Sequence, residues 1–119
     1  MNRLKTHAMA ALLGLVYSVG HASAESAYVS GAAWQASNKA EKLAYVMGIA
    51  NVVNAEHSVQ KSSSRPPGNN QSAIPQLYSG LQGVTLSGMV EALDNYFSSN
   101  PDKTGDTVLD VLWIIYVEG

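Results

Sequence analysis

The chain has no cysteine, and only 13% of its 119 residues are charged. The missing cysteines exclude a disulfide scaffold, a thiolate-ligated zinc site, a thiol nucleophile and a lipid-anchored lipoprotein. An apolar fraction of 46% is too high for a disordered chain, and the length favours one small domain. The formal net charge of −2, without a basic run, argues against a nucleic-acid partner.

Catalytic signatures are also missing. There is no Gly-x-Gly-x-x-Gly or phosphate-binding loop, and His57 is the only histidine beyond residue 24. To act as a base or a metal ligand, His57 needs partner side chains, and no residue at a suitable spacing provides one. We therefore expect His57 to pack or to end a helix. We predict no catalytic residue, no metal ligand and no cofactor. An acid–base enzyme remains an alternative; it would combine His57 with five carboxylates that helix faces and caps also explain, namely Glu91, Asp94, Asp102, Asp106 and Asp110.

The segment from Asn100 to Asp106 places oxygen ligands as the first half of a calcium loop does, with Gly105 at the sixth position. The twelfth position, which should hold a bidentate glutamate, is Val111. We therefore interpret this segment as a polar turn that ends in a helix cap.

Residues 1–24 have the three regions of a secretory signal peptide: a basic start, an apolar run over residues 8–19 and the small residues Ala22-Ser23-Ala24. A membrane anchor is the alternative, but the apolar run is short against the roughly 20 residues that a bilayer requires. The later run Val111–Val117 is shorter still. We expect cleavage after Ala24, a periplasmic location and no membrane span.

Residues 25–119 carry five cations and nine acids, and so a net charge of −4. We predict that they form a single all-α domain, a small bundle of three to four helices. A chain of this size would gain stability from a second copy of itself, which makes a homodimer plausible.

The longest predicted helix starts at Asn38, whose spacing to Glu41 is typical of a capping box, and runs to about Gln60. Residues 25–37 before it are interpreted as a loose segment pinned by Trp34. Three lines of residues run along the helix. They are an apolar stripe of Leu43, Val46, Met47, Ala50 and Val53, a second stripe of Tyr45, Ile49 and Val52, and a small-residue line of Ala44, Gly48, Asn51 and Ala55. The two apolar stripes indicate a central helix that is contacted from at least two sides, while the small-residue line would either admit another backbone or face solvent.

Three further helices are predicted. Pro75 permits a short helix over residues 75–82, and Thr85 can cap the next, which ends before Asn100-Pro101. Asp106 or Thr107 can cap a last helix to about Val117. A buried strand competes over Val111–Val117, but no other segment could pair with it.

Lys61–Ser72 is predicted to be an exposed loop, because it is rich in proline, serine and asparagine and has no large apolar residue. Arg65 is its one isolated cation and a candidate anchor for a protein partner. The candidate partner-binding residues are Arg65, Pro66, Pro67, Asn69 and Asn70.

Several motifs together resemble the Tai family of type VI secretion amidase immunity proteins and their uncharacterised periplasmic relatives. They are Trp34, Lys42, Tyr45-Val46-x-Gly48, Val90-x-x-Leu93-x-x-Tyr96, Asn100-Pro101 and Val108-x-x-x-Leu112. Members of that family commonly carry a cysteine pair, which this chain lacks. The resemblance implies a small all-helical periplasmic dimer that blocks a secreted peptidoglycan amidase by placing a loop in its active cleft.

We therefore expect a periplasmic, non-enzymatic binding protein, with an immunity-type inhibitor of a cell-wall amidase as its specific form. The alternative is a chaperone-like or complex-assembly helper of the envelope that binds many partners.

Overall fold

The fold is seen in a computed structural model that describes residues 28–63 and 72–119. These residues form five α-helices and no sheet, so the all-α prediction is confirmed, with five helices in place of three to four. No helix among them is long and apolar enough to cross a bilayer. The predicted signal peptide, residues 1–24, lies outside the described residues. The helices are α1 (Gly31–Ala36), α2 (Lys39–Ser62), α3 (Ala73–Gly80), α4 (Leu86–Ser99) and α5 (Val108–Trp113), with a 3₁₀ turn at Pro101–Lys103 and π-helical turns over Ile114–Glu118.

Side-chain caps start the longer helices where the sequence places them. Asn38 and Glu41 form the reciprocal capping box of α2, with N–H to oxygen distances of 2.8 and 2.9 Å. Thr85 caps α4, and Thr107 rather than Asp106 caps α5. Each cap satisfies an amide that the first helical turn would otherwise leave unbonded.

The helix ends differ slightly from the predictions. Lys61, which was predicted to lie in a loop, belongs to the last turn of α2. The helix predicted over residues 75–82 spans Ala73–Gly80 instead. Pro75 sits in its first turn, where a missing N–H costs nothing.

The interpretation of residues 25–37 as loose was wrong for the part that the structure describes, because Gly31–Ala36 is helical. Three backbone bonds hold this segment against the chain that precedes α5. The Gly31 and Ala32 N–H groups donate to the Asp106 and Thr104 carbonyls, and the Val108 N–H donates to the Val29 carbonyl. Such long-range bonds leave no local pattern in a six-residue helix.

The core lies around α4, which packs against α1, α2 and α5. Trp34 enters it from α1, with 1% of its surface exposed. The predicted run Val111–Val117 is helical, and Val111 and Leu112 are fully buried on α4. The clustered core residues are Trp34, Val46, Met89, Val90, Leu93, Phe97, Val108, Val111 and Leu112.

Helix α2 is contacted by α3 and α4, as two apolar stripes suggested, but it is less buried than they predict. Only Val46 and Val53 are buried along its 24 residues. Met47 and Val52 remain 47% and 62% exposed. The central position belongs to α4, which packs against three helices, whereas α2 packs against two.

Candidate functional site: an apolar groove between α2, α3 and α5

An open groove of about 1080 Å³ lies between α2, α3 and α5. Helices α2 and α5 both pack against α4, and the groove occupies the space that separates them. We call this feature the apolar groove. Its lining residues are Ala44, Tyr45, Gly48, Ile49, Val52, Val53, Ala73, Ile74, Leu77, Leu109, Asp110 and Trp113.

The α2 wall is low because small residues form part of it. A Cβ placed on Gly48 would meet no atom within 4 Å, so this part of the helix surface faces open space. Val52 stands one turn further along and is 62% exposed. Two members of the predicted small-residue line, Ala44 and Gly48, thus line the groove.

Two contacts hold α3 in place as the second wall. The ring of His57 on α2 stacks on Tyr78 of α3, with centroids 3.6 Å apart and an interplanar angle of 5°. Two residues further along α3, Gly80 lies so close to the Tyr116 carbonyl that a Cβ there would collide with it. His57 therefore packs, as predicted, and its stacking fixes the spacing of the two walls.

The α5 wall carries the only charge among the lining residues. The Asp110 carboxylate accepts a bond of 2.7 Å from the Thr107 hydroxyl in the first turn of α5, where the helix dipole favours a negative group. Leu109 beside it is 43% exposed. Trp113 lies one turn on, and its indole N–H donates to Glu118. This wall therefore offers apolar surface with an acidic rim.

Tyr45 closes the groove towards the core. Its ring meets the Trp34 ring edge to face, with centroids 6.2 Å apart. Burial raises the pKa of Tyr45 above its usual value of 10.0, so the phenol stays neutral at physiological pH. A neutral hydroxyl gives the groove a hydrogen-bonding group without a charge.

Behind Tyr45, a polar cluster joins three helices. One carboxylate oxygen of Asp94 accepts from the Trp34 indole N–H and from the Lys42 ammonium, both at 2.8 Å. The ammonium also lies 5.5 Å from the centroid of the Trp34 ring. Asp94 was predicted to be a helix-face residue, but it is the acceptor that fixes α1 and α2 on α4.

The other acidic residues form no metal centre in the two described segments, where no group of three or more histidine or acidic side chains could hold an ion. The calcium-like segment contains the Pro101–Lys103 turn, and the Asn100 amide donates to the Tyr96 carbonyl. The Asp106 carbonyl bonds α1 instead. The segment therefore contains a turn, as interpreted, but the helix cap is Thr107, one residue beyond it.

The predicted partner-binding residues, Arg65, Pro66, Pro67, Asn69 and Asn70, lie outside the described residues. The described chain resumes at Ser72, directly before the groove residue Ala73. Sequence analysis missed the groove itself. The only local signal was the pairing of a small-residue line with a second apolar stripe on α2, which indicates surplus surface but not its position relative to α3 and α5.

Comparison of the chain with protein-family models, with curated proteins and with solved structures finds no match in any of the three.

Proposed function

We propose that the protein is an exported, periplasmic, non-enzymatic binding protein whose partner is another protein. The observation that carries this proposal is the apolar groove. Its lining consists of apolar side chains with one acidic residue and one neutral phenol, which suits the burial of an apolar segment. The exposed Val52 and Leu109 provide the contact area on opposite walls.

The specific form that we propose is an immunity-type inhibitor of a cell-wall amidase. This form rests on the motif resemblance and on the predicted signal peptide, residues 1–24. In it, the segment with Arg65, Pro66, Pro67, Asn69 and Asn70 contacts the active cleft of the amidase. The apolar groove, whose α3 wall begins at Ala73, binds an apolar segment beside that cleft.

The first experiment is affinity capture with purified residues 25–119 as bait. The envelope and secreted fractions of the source organism are applied, washed at high salt and analysed by mass spectrometry. We expect one stoichiometric peptidoglycan hydrolase, and the purified hydrolase should lose its release of peptidoglycan fragments at a 1:1 ratio of inhibitor. A hydrolase that binds without inhibition, or a diffuse set of weak binders, would contradict the inhibitor proposal.

Matched variants then separate the groove from the general surface of α2. Val52→Asp places a carboxylate in the groove and should weaken binding by about 2 kcal/mol or more. Met47→Asp places the same carboxylate on an exposed part of α2 that does not line the groove, and should leave affinity unchanged.

The polar segment needs its own test. Replacing residues 64–71 with a Gly-Ser linker of equal length should abolish inhibition while the helical circular dichroism signal persists. Unchanged inhibition would remove Arg65 and its neighbours from the interface.

A second candidate function, an envelope helper that binds many apolar chains, is favoured by one observation. Met47 and Val59 extend the exposed apolar surface of α2 beyond the groove. A helper should bind several unrelated unfolded proteins with similar, weak affinity, and Met47→Asp should weaken that binding as much as Val52→Asp does. The two variants thus distinguish the helper from the inhibitor.

A further inference from the structure

We propose that the occupant of the apolar groove is an amphipathic α-helix of the partner protein, seated by its apolar face, with a lysine or arginine at the edge of that face paired to Asp110. This deepens the proposed function and rests on it in one respect, namely that the groove is the site of a protein partner. It adds the conformation and the charge pattern of the segment that is recognised.

The groove has the dimensions of a short helix. Its α2 wall from Ala44 to Val53 is about 14 Å long, which corresponds to about two and a half helical turns. A helix of that length and of about 10 Å diameter fills roughly 1100 Å³. The volume of the groove is about 1080 Å³. Because α2 and α5 already pack on α4, a helix seated between them would contact a helix on each side.

The groove offers few polar partners for the backbone of an extended segment. The polar side chains in its lining are Tyr45, Asp110 and Trp113, and the Trp113 indole N–H already donates to Glu118 at 3.1 Å. The part of the chain that the structure describes contains no strand to whose edge a peptide could add. A helix bonds its own N–H and C=O groups, whereas an extended segment would bury them unpaired. The lining therefore favours a helix.

Asp110 supplies the charge for recognition. Its Oδ2 accepts from the Thr107 hydroxyl at 2.7 Å, and no residue of the two described segments donates to Oδ1. Asp110 is exposed, so this oxygen is accessible to a cation from outside. It is the only charged residue in the lining. A lysine or arginine at the edge of the apolar face of the partner helix is therefore its complement.

Charge disfavours a second copy of this chain as the occupant. On α2 the exposed Val52 and Val59 lie seven positions apart, and Glu56 lies between them on the same face. That face would bring a carboxylate towards Asp110 where a cation is needed. Residues 25–119 also carry nine acids against five cations, so two copies would repel each other.

Three synthetic peptides of fifteen residues test the conformation and the charge of the occupant. The first is an alanine- and glutamine-based helix with leucines at positions 4, 7, 8 and 11 and a lysine on each edge of the leucine stripe. The second has glutamate at both lysine positions. The third has the composition of the first with the leucines at every second position, the pattern of a strand. Each is labelled, and its affinity is measured by fluorescence anisotropy with protein purified after expression of the full chain.

We expect the lysine peptide to bind about fivefold more tightly than the glutamate peptide, and the alternating peptide not to bind. Asp110→Asn keeps an oxygen that accepts from Thr107 but loses the charge, so it should remove most of this preference. The matched control, Asp102→Asn, removes the same charge from the exposed 3₁₀ turn and should leave the preference intact.

A second pair of variants locates the binding site of the lysine peptide. Val52→Asp should weaken its binding by about tenfold or more, and Met47→Asp should not, because Met47 is exposed outside the groove. Equal effects of these two variants would overturn the proposal. A dimer in sedimentation equilibrium that Val52→Asp dissociates would also overturn it and would assign the groove to a second copy.

The peptides themselves provide the other contrary results. Equal affinity for the lysine and glutamate peptides, binding of the alternating peptide, or no binding of any peptide would each overturn the proposal. So would an equal loss of preference in Asp110→Asn and Asp102→Asn. No peptide measurement involves the amidase. A hydrolase that is inhibited although every peptide fails would refute the helical occupant alone, and peptide binding as expected without an inhibited hydrolase would contradict the inhibitor alone.

Discussion

Helix α5 borders two different environments, and the difference shows how this small fold is divided. On one side Val108, Val111 and Leu112 are fully buried against α4. On the other side Leu109, which lines the apolar groove, is 43% exposed. Leu109 is as apolar as the buried residues, so its chemistry does not explain the contrast. One side has a helix packed on it, and the other faces a groove.

This comparison separates residues that hold the fold from residues that are available for binding. The closed side combines packed apolar chains with the Trp34–Asp94 bond, and it joins α1, α4 and α5. The open side combines Val52, Gly48 and Leu109, which few neighbours restrain. Substitutions should therefore affect stability on the closed side and partner affinity on the open side.

The largest difference is expected between Phe97→Ala and Val52→Ala. Phe97 is fully buried, and Phe97→Ala should lower the free energy of unfolding by about 3–5 kcal/mol. Val52 is exposed, and Val52→Ala should lower it by less than about 0.5 kcal/mol. Urea unfolding followed by circular dichroism measures both. Should Phe97→Ala fail to fold, Phe97→Leu, expected to cost about 1–1.5 kcal/mol, serves instead. Equal losses of unfolding free energy for Phe97→Ala and Val52→Ala would show that the groove side is packed as well.

Two glycines form a second matched pair. Gly80→Ala would push a Cβ into the Tyr116 carbonyl and should destabilise the fold by about 1–3 kcal/mol. Gly48→Ala meets open space within a helix and should stabilise it by about 0.5–1 kcal/mol. Thermal unfolding should therefore move in opposite directions for the two variants. A loss of stability for Gly48→Ala would mean that another element covers the α2 wall.

The polar cluster of the closed side should have a smaller effect. Asp94→Ala leaves the Trp34 indole N–H and the Lys42 ammonium without their acceptor, and should cost about 1–2 kcal/mol. Lys42→Met should cost less than about 1 kcal/mol, because Asp94 is partly exposed and retains the indole bond. Asp102→Ala, on the exposed 3₁₀ turn, is the control with no expected change. If Lys42→Met lowered the free energy of unfolding as much as Asp94→Ala does, the ion pair would contribute more to stability than the indole hydrogen bond of Asp94.

The smallest effect should appear only at alkaline pH. Because burial raises the pKa of Tyr45 in the folded state, the folded protein retains the phenol proton where the unfolded chain has lost it. Protonated Tyr45 makes its full contribution to the free energy of unfolding below pH 10.0, the usual tyrosine pKa, which applies to the unfolded chain. This contribution is lost as the pH rises through the higher pKa of the folded state. Tyr45→Phe should flatten this alkaline loss of stability in denaturant titrations. An alkaline loss of stability that is the same in Tyr45→Phe as in the unmodified protein would contradict this account.

The helical class and the positions of the main helices followed from the sequence alone. The side chains of Asn38 and Thr107 each accept a bond from the amide three positions along the chain, and the amphipathic pattern of α4 repeats over one or two turns. Such signals act between neighbours in the chain, so they are visible without a tertiary structure. The packing of His57 was also predictable, because a single histidine had no partner for chemistry.

The tertiary structure decided the features that depend on distant residues. Helix α1 is held by carbonyls of residues 104 and 106, and Asp94 is bonded to side chains 60 and 52 positions away. The apolar groove exists because α2 and α5 both pack on α4 and leave a space between them, so that Val52 stays exposed while Val46 and Val53 are buried. An apolar stripe indicates that a surface is suited to burial. Only the placement of the other helices determines whether that surface becomes core or remains open to a partner.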